Sequence, residues 1–298
     1  MRPTIALSVL SLVCAVEAAT AAAQSSLTGE YAPGECTYCD EWNEPQESFR
    51  LFGDTYYVGT RGLTAVLITS DEGHVLIDGG IPASAPLILE NIAALGFDIA
   101  DVALLLNSHA HFDHSGGLAA LQAASGARVA ASAESAPVLE SGESMPGDPQ
   151  HGGLLAFPAV RVDERITHGQ TLRVGPLALT GYVTPGHAPG GTTWTWRSCD
   201  GNRCLDFVYA DSHSAVSADG FHFSDASNAE YLERFEEGFA VLEQLPCDVV
   251  IAPHPSQASF WERLRNRPQG LVDEDGCRQY VEAARVQLQR RLAEERGP

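Results

Sequence analysis

The sequence predicts an α/β layered fold in which helices pack on the outside of two sheets. Three observations carry that prediction. Apolar segments of strand length alternate with segments of helical period in both halves of the chain. Val102 to Leu106 is an uninterrupted apolar run, as in a strand covered on both faces. The polar, histidine-bearing stretches fall directly after strands, where ligands collect in folds of this class.

The elements follow in order. Phe49-Arg50-Leu51-Phe52 and Thr55-Tyr56-Tyr57-Val58 surround Gly53-Asp54 as a hairpin would. Leu63 to Thr69 and His74 to Ile77 continue as strands, with Asp71-Glu72-Gly73 turning between them. Ile81 to Leu95 reads as a helix, with Pro82 near its start and Gly96 just past its end. After the Val102–Leu106 strand, Gly117 to Ala124 is helical and Arg128 to Ala131 a strand. Leu177 to Val183, Thr192 to Trp196 and Leu205 to Tyr209 are further strands. Glu230 to Leu245 is a long helix, Val249 to Ala252 returns as a strand, and Arg278 to Glu295 is a terminal amphipathic helix. No internal repeat or low-complexity linker interrupts the pattern.

The first residues address the compartment. Arg2, the apolar stretch Ile5 to Ala15 and the small residues Ala21-Ala22-Ala23 read as a cleavable secretory signal over residues 1–23. The apolar stretch is too short to span a bilayer. A mature chain of residues 24–298, free of stable membrane association and lying in a bacterial periplasm, is expected. Removing Cys14 from the seven cysteines leaves six, an even number suited to disulfides in an oxidising compartment. Cys199 and Cys204 flank a hairpin tip, Asp200-Gly201-Asn202-Arg203, and are expected to pair. Cys247 with Cys277 makes a longer staple, which leaves Cys36 and Cys39 as a local bridge; Asp40 after Cys39 does not suit a haem attachment, which takes His there.

The formal net charge is −21, and all 18 basic residues are arginine. A strongly acidic surface repels phosphate backbones and excludes nucleic acid as a partner. The absence of lysine bears on how an anionic ligand could be held.

The chemistry centres on Asn107-Ser108-His109-Ala110-His111-Phe112-Asp113-His114. Alternate residues of an extended segment share a face, so His109 and His111 can grip one cation together. Asp113 and His114 lie where the chain turns toward a helix and can point at a second. Imidazole and carboxylate are ligands suited to zinc. Thr184-Pro185-Gly186-His187 and Pro253-His254-Pro255 each follow a strand, and each supplies a third ligand. The expected sets are His109, His111 and His187 for one Zn2+, and Asp113, His114 and His254 for a second. Three protein ligands and an open position are what a catalytic zinc requires. His74, His151 and His168 read as surface residues, and His222 as a rim group.

The His-x-His-x-Asp-His run, the later Gly186-His187 and His254 after a strand resemble the metallo-β-lactamase superfamily, across nearly the whole mature chain. Asp78, in Leu76-Ile77-Asp78-Gly79-Gly80, matches that superfamily's early Asp, which supports the metal loop from behind. Glu41-Trp42-Asn43-Glu44-Pro45, Tyr209-Ala210-Asp211-Ser212-His213-Ser214 and the all-histidine first site are similar to the third zinc subclass of true β-lactamases. No cysteine stands in 209–214, so His114 takes the place of the cysteine ligand of the other subclasses. The resemblance implies a four-layer αβ/βα sandwich with two central mixed sheets, and two zinc ions per chain. It also implies hydrolysis of the β-lactam amide of penicillins, cephalosporins or carbapenems, conferring antibiotic resistance. A zinc-bound hydroxide oriented by Asp113 is the expected nucleophile, with no covalent intermediate.

Without lysine, Ser212 and Ser214 are the candidates for holding the substrate carboxylate. Trp42 and Phe157 are candidate cleft walls, and Asp211 and His213 candidate supports behind the ligands. The protein is expected to act as a monomer on small molecules. Dinuclear lactonases and thioesterases of the superfamily place a metal-bridging Asp at the position of Asp211, which leaves that class of enzyme as the alternative. A non-catalytic zinc-binding protein, lacking open coordination positions, is the more distant one.

Overall fold

The computed structural model describes residues 36–266 and 270–297. The expected signal over residues 1–23 lies outside them. The described chain folds into two sheets packed face to face, with helices on both outer sides.

The first sheet has seven strands in sequence order. These are β1 (Phe49–Phe52), β2 (Thr55–Tyr57), β3 (Val66–Ile68), β4 (His74–Ile77), β5 (Val102–Leu106), β6 (Arg128–Ser132) and β7 (Glu164–Ile166). Pairings are antiparallel as far as β4 and parallel from β4 onward. The second sheet runs β12 (Val249–Ile251), β11 (Arg203–Tyr209), β10 (Thr192–Asp200), β9 (Leu177–Val183) and β8 (Gln170–Val174). Only its β11–β12 pair is parallel.

The alternation of side chains along each strand sorts the apolar residues into three cores. Val66, Ile68, Leu104 and Leu106 face inward and meet Leu179, Trp194, Phe207 and Ile251 between the sheets. Leu67, Leu76, Leu105 and Val129 face outward beneath α2 (Ser84–Ala94), α4 (Leu118–Ser125) and α5 (Ser135–Ser141). On the far side Val208 and Val250 pack under α6 (Ala229–Leu242) and α8 (Gly276–Arg296). Tyr231, Phe235 and Phe239 make the apolar stripe of α6, and Tyr280, Val281, Leu288 and Leu292 that of α8. Both faces of β5 are thus covered, which explains its continuous apolar run.

Departures from the expected elements have local causes. The strand expected over 63–69 shrinks to β3 because Thr64 is drawn to the second sheet. Its N–H donates to the Pro253 carbonyl (2.8 Å) and its hydroxyl to that of Ala252 (2.7 Å). The helix expected from Ile81 begins at Ser84, since Ile81 to Ala83 form a turn closed by Ser84 N–H on the Ile81 carbonyl. Three short helices carry too few residues for a periodic signal: α1 (Cys39–Trp42), α3 (Phe112–Ser115) and α7 (Phe260–Asn266). The edge strands β7 and β8 are short and each opens on two adjacent polar residues, so they likewise escape it.

Cys199 and Cys204 face each other across the β10–β11 hairpin and are bonded. Cys247–Cys277 ties the approach to β12 to the start of α8, and Cys36–Cys39 closes a loop at α1. No helix among the described residues is long and apolar enough to cross a membrane.

Candidate metal centre

The site forms where the two sheets meet, at the carboxyl ends of β4, β5, β9, β11 and β12. Past Leu106 the chain leaves the sheet, bends at Ser108 and is extended at His111, then takes a single helical turn, α3, that presents Asp113 and His114. Asp78, just after β4, fixes this loop from beneath. Its carboxylate accepts from Ser108 N–H, the Ser108 hydroxyl and the Tyr209 hydroxyl, all at 2.7 Å. Asp78 has φ +63°, a backbone conformation costly for a residue with a Cβ. Three short bonds to a fully buried carboxylate hold it there.

Two groups of ligand atoms lie within 4.8 Å of one another among the described residues: His109, His111 and His187, and His109, Asp113 and His114. In the first set each ring is fixed from outside on one nitrogen, and His187 also meets the Gln150 amide on its other. His109 Nδ1 meets Asp211 Oδ1 at 2.8 Å and His111 Nε2 meets Asp148 Oδ2 at 2.7 Å. His187 Nδ1–H donates to the Ser214 carbonyl at 2.9 Å. His109 Nε2 is left buried without a hydrogen-bond partner, aimed among rings whose centroids are 4.5 to 4.8 Å away. In the second set Asp113 Oδ2 is 3.2 Å from His114 Nε2. His254, expected as the third ligand there, is not in that group of atoms, but its Nε2 lies 3.1 Å from the same Asp113 oxygen.

The electrostatics suit a cation. Burial pushes His109 well below the usual imidazole range, with neighbouring His114 adding to the shift. Burial and His111 bring His187 down to about 3. Both are therefore neutral at pH 7, the state in which imidazole binds metal. Asp113 is raised by burial, but His114 and His254 more than offset this and hold it well below the carboxylate range. Neutral rings, an ionised carboxylate and an orphaned buried nitrogen form a donor set that fits zinc.

Asp211 is fully buried and stands behind His109, on the side away from His109 Nε2. Its carbonyl accepts from Tyr280 O–H at 2.6 Å and His213 Nδ1–H at 2.9 Å. Its other oxygen packs against Gly191, where a Cβ would come within 2.0 Å. His213 is buried against Phe239, with its ring well away from solvent. Ser214 lies at the surface of the site, its hydroxyl 3.1 Å from His187 Nδ1. Ser212 is buried, and its hydroxyl exchanges hydrogen bonds with the Gln257 amide at 3.1 and 3.2 Å. Trp42 lies beside the cage, its ring 5.3 Å from His254 and 6.0 Å from Phe112. Phe157 is placed differently from the expected cleft wall. It packs with Leu139 and Val160 in the outer core of the first sheet, because its N–H bonds to the Gly142 carbonyl after α5 and turns it inward.

Asp148 and Gln150 touch the cage without having been singled out by sequence. Both lie in the Gly-, Pro- and Ser-rich stretch after α5, where nothing in residue spacing marks a contact with histidines far away in the chain. Tyr209 and Tyr280 are likewise hidden in apolar patterns, although their hydroxyls reach Asp78 and Asp211.

Comparison with known proteins agrees with this architecture. A family model of the metallo-β-lactamase superfamily matches residues 58–254, and the chain belongs to that superfamily. Among solved structures it is similar to the Rm3 metallo-β-lactamase, with 52% identity and a TM-score of 0.84, covering 88% of this chain and 99% of that one. It is also similar to MEM-A1, a subclass B3 metallo-β-lactamase from a soil metagenome library. That match has 45% identity and a TM-score of 0.82 over 85% of this chain and 98% of that one. The human metallo-β-lactamase domain-containing protein 1 is 31% identical over 129 residues, 43% of this chain. The chain spans 40% of that relative's length.

Proposed function

We propose that this chain is an exported zinc enzyme that hydrolyses the amide bond of β-lactam antibiotics and so confers resistance to them. The observation that carries the reading is the all-histidine cage, His109, His111 and His187, in a chain similar over its described length to subclass B3 β-lactamases. These three residues hold one zinc, and Asp113, His114 and His254 hold a second. Zinc there makes a water molecule nucleophilic near neutral pH and polarises the lactam carbonyl.

The chain's own groups do the rest. Asp113, kept ionised beside two imidazoles, accepts a hydrogen bond from the attacking water and orients it toward the lactam carbonyl; the amide C–N bond then breaks and the ring nitrogen leaves with a proton from that water. The Ser214 hydroxyl, at the surface of the site, binds the substrate carboxylate, with Ser212 and Gln257 fixing the backbone behind it. Trp42 flanks the substrate beside His254. Ser214 is not set up as a nucleophile, because the imidazole beside it, His187, spends its Nδ1–H on the Ser214 carbonyl. The reading therefore involves no acyl-enzyme at Ser214. The mature enzyme begins near Gln24 and works as a periplasmic monomer.

Asp211 argues against the lactonase or thioesterase reading. A metal-bridging carboxylate must face the cage, whereas Asp211 sits on the Nδ1 side of His109. The test is a hydrolysis panel on the mature chain: a carbapenem, a penicillin, a lactone and a thioester, each with and without a chelator. Chelator-sensitive cleavage of the β-lactams is expected. Inert β-lactams alongside chelator-sensitive lactone or thioester cleavage would overturn the substrate assignment.

A further inference from the structure

Asp148 lies outside the ligand set, on the segment between α5 and β7, yet it is the residue that joins this segment to the cage. Its two oxygens face different ways. Oδ2 is 2.7 Å from His111 Nε2, and Oδ1 accepts from the Gln150 N–H at 2.8 Å. Both side chains are largely out of solvent, 3% exposed for His111 and 9% for Asp148. With Nε2 so engaged, Nδ1 is the nitrogen that His111 has left for a metal.

The segment meets a second ligand as well. The Gln150 side-chain N–H donates to His187 Nε2 at 3.3 Å, the ring nitrogen that Ser214 does not engage. Elsewhere the segment is held by the buried Pro149 and by isolated bonds. Tyr231 O–H donates to the Gly147 carbonyl and Ala218 N–H to that of Pro149, each at 2.9 Å. Behind it a cavity of about 370 Å³ opens, bordered by His111, Met145, Asp148 and Tyr231. The stretch 145–150 is thus a bridge with the cage on one side and open volume on the other. A bridge of that kind keeps its position only as well as its few pins do.

We infer that Asp148 is a positioning residue that couples metal loading at His111 to the seating of residues 145–151 over the site. The inference rests on the zinc reading of the cage. Binding at Nδ1 fixes the His111 tautomer with its proton on Nε2 and makes that N–H a stronger donor to the carboxylate. The carboxylate, once fixed, holds the Gln150 N–H and with it the segment. Coupling of this kind is reciprocal, so a seated segment tightens the hold on zinc as much as zinc seats the segment.

The experiment uses the full mature chain as wild type, Asp148→Ala and Asp148→Asn. Two quantities are measured: zinc affinity by competition with a chromophoric chelator, and backbone hydrogen exchange over 143–153 with and without zinc. In the wild type, zinc should slow exchange at Gln150 and its neighbours. Asp148→Ala should weaken the tighter zinc equivalent by about 10- to 100-fold and abolish the zinc-dependent slowing. Asp148→Asn retains an acceptor oxygen for His111 and should fall between the two on both measures, so it decides the matter should the alanine variant not fold. Wild-type zinc affinity in both variants overturns the inference. So does weakened affinity with the zinc-dependent slowing intact. A wild-type chain that binds no zinc refutes the reading of the cage itself, and that result needs no variant.

Discussion

The two halves of the metal centre are built on different plans. In the first, three rings are each fixed from outside the cage: His109 by Asp211, His111 by Asp148 and His187 by the Ser214 carbonyl. In the second, the ligands chiefly hold one another through Asp113 Oδ2. His114 Nδ1 is buried 4.0 Å from Asp78 Oδ2 without a hydrogen bond, and His254 has only a 3.3 Å contact to the Gly62 carbonyl. His254 is also the more open, with 19% of its side chain exposed. A ligand fixed from behind loses little freedom when a metal arrives, whereas mutually held ligands must give up bonds to each other. On the two-zinc reading proposed above, the first half should be the tighter site and the second the one that adjusts.

The largest effect should come from the residue that the second half is built on. Asp113→Ala removes a proposed ligand, the partner of two histidines and the group that orients the attacking water at once. Steady-state hydrolysis should fall by at least on the order of 10³-fold. Near-normal turnover would sink the mechanism, whatever happens to zinc content.

Behind the first half, Asp211→Ala should cost about 10- to 100-fold in affinity for the tighter zinc equivalent, read by chelator competition. Gly191→Ala reaches the same carboxylate sterically, since its Cβ would stand 2.0 Å from Asp211 Oδ2. The two variants should weaken zinc alike. A Gly191→Ala protein with intact affinity would show that the carboxylate can be displaced without consequence, and that the first half is not held from behind.

His254→Ala addresses the other half in isolation. It should empty the weaker equivalent while leaving the tighter one unchanged in the same titration. Loss of both would mean that the halves are not separable as their hydrogen bonds suggest.

The contrast between the halves also marks how far the sequence could be read. That these residues would come together was legible because His109 and His111 alternate just past a strand, and because His187 and His254 each follow an apolar run. The helix–sheet alternation gave the layers for the same reason, that burial on one face imposes a period. What lies behind the ligands was only partly legible. Asp78 and Asp211 stand next to strand ends and could be suspected, but Asp148 is brought to His111 by a loop with no periodic pattern at all. Phe157 reads from sequence as an aromatic in that same loop and could as well face the cleft. Only the backbone turn after α5 sends it into the core. Ser212 shows the same limit, since its partner Gln257 is 45 residues away.

His213 gives the smallest effect at neutral pH and the most specific one in acid. It is fully buried, and its Nδ1–H supports the Asp211 carbonyl behind the first half. Burial brings its pKa from 6.5 down to about 4. The unfolded chain therefore takes up this proton as pH falls through 6.5, while the folded protein refuses it until about 4. Over that interval the unfolded state binds more protons, so stability must fall with falling pH; below it the loss is complete. At about 1.4 kcal/mol per pH unit, the contribution is on the order of 3 kcal/mol. His213→Asn keeps an N–H donor for the Asp211 carbonyl but has no proton to gain. Urea unfolding of the zinc-free proteins should give similar stabilities at pH 7, with the wild type losing roughly 3 kcal/mol more than the variant by pH 4. The cage histidines titrate in both proteins, so the difference isolates His213. Parallel curves for the two proteins would mean that His213 takes its proton without leaving the fold, and that the wall behind His109 yields more easily than its burial implies.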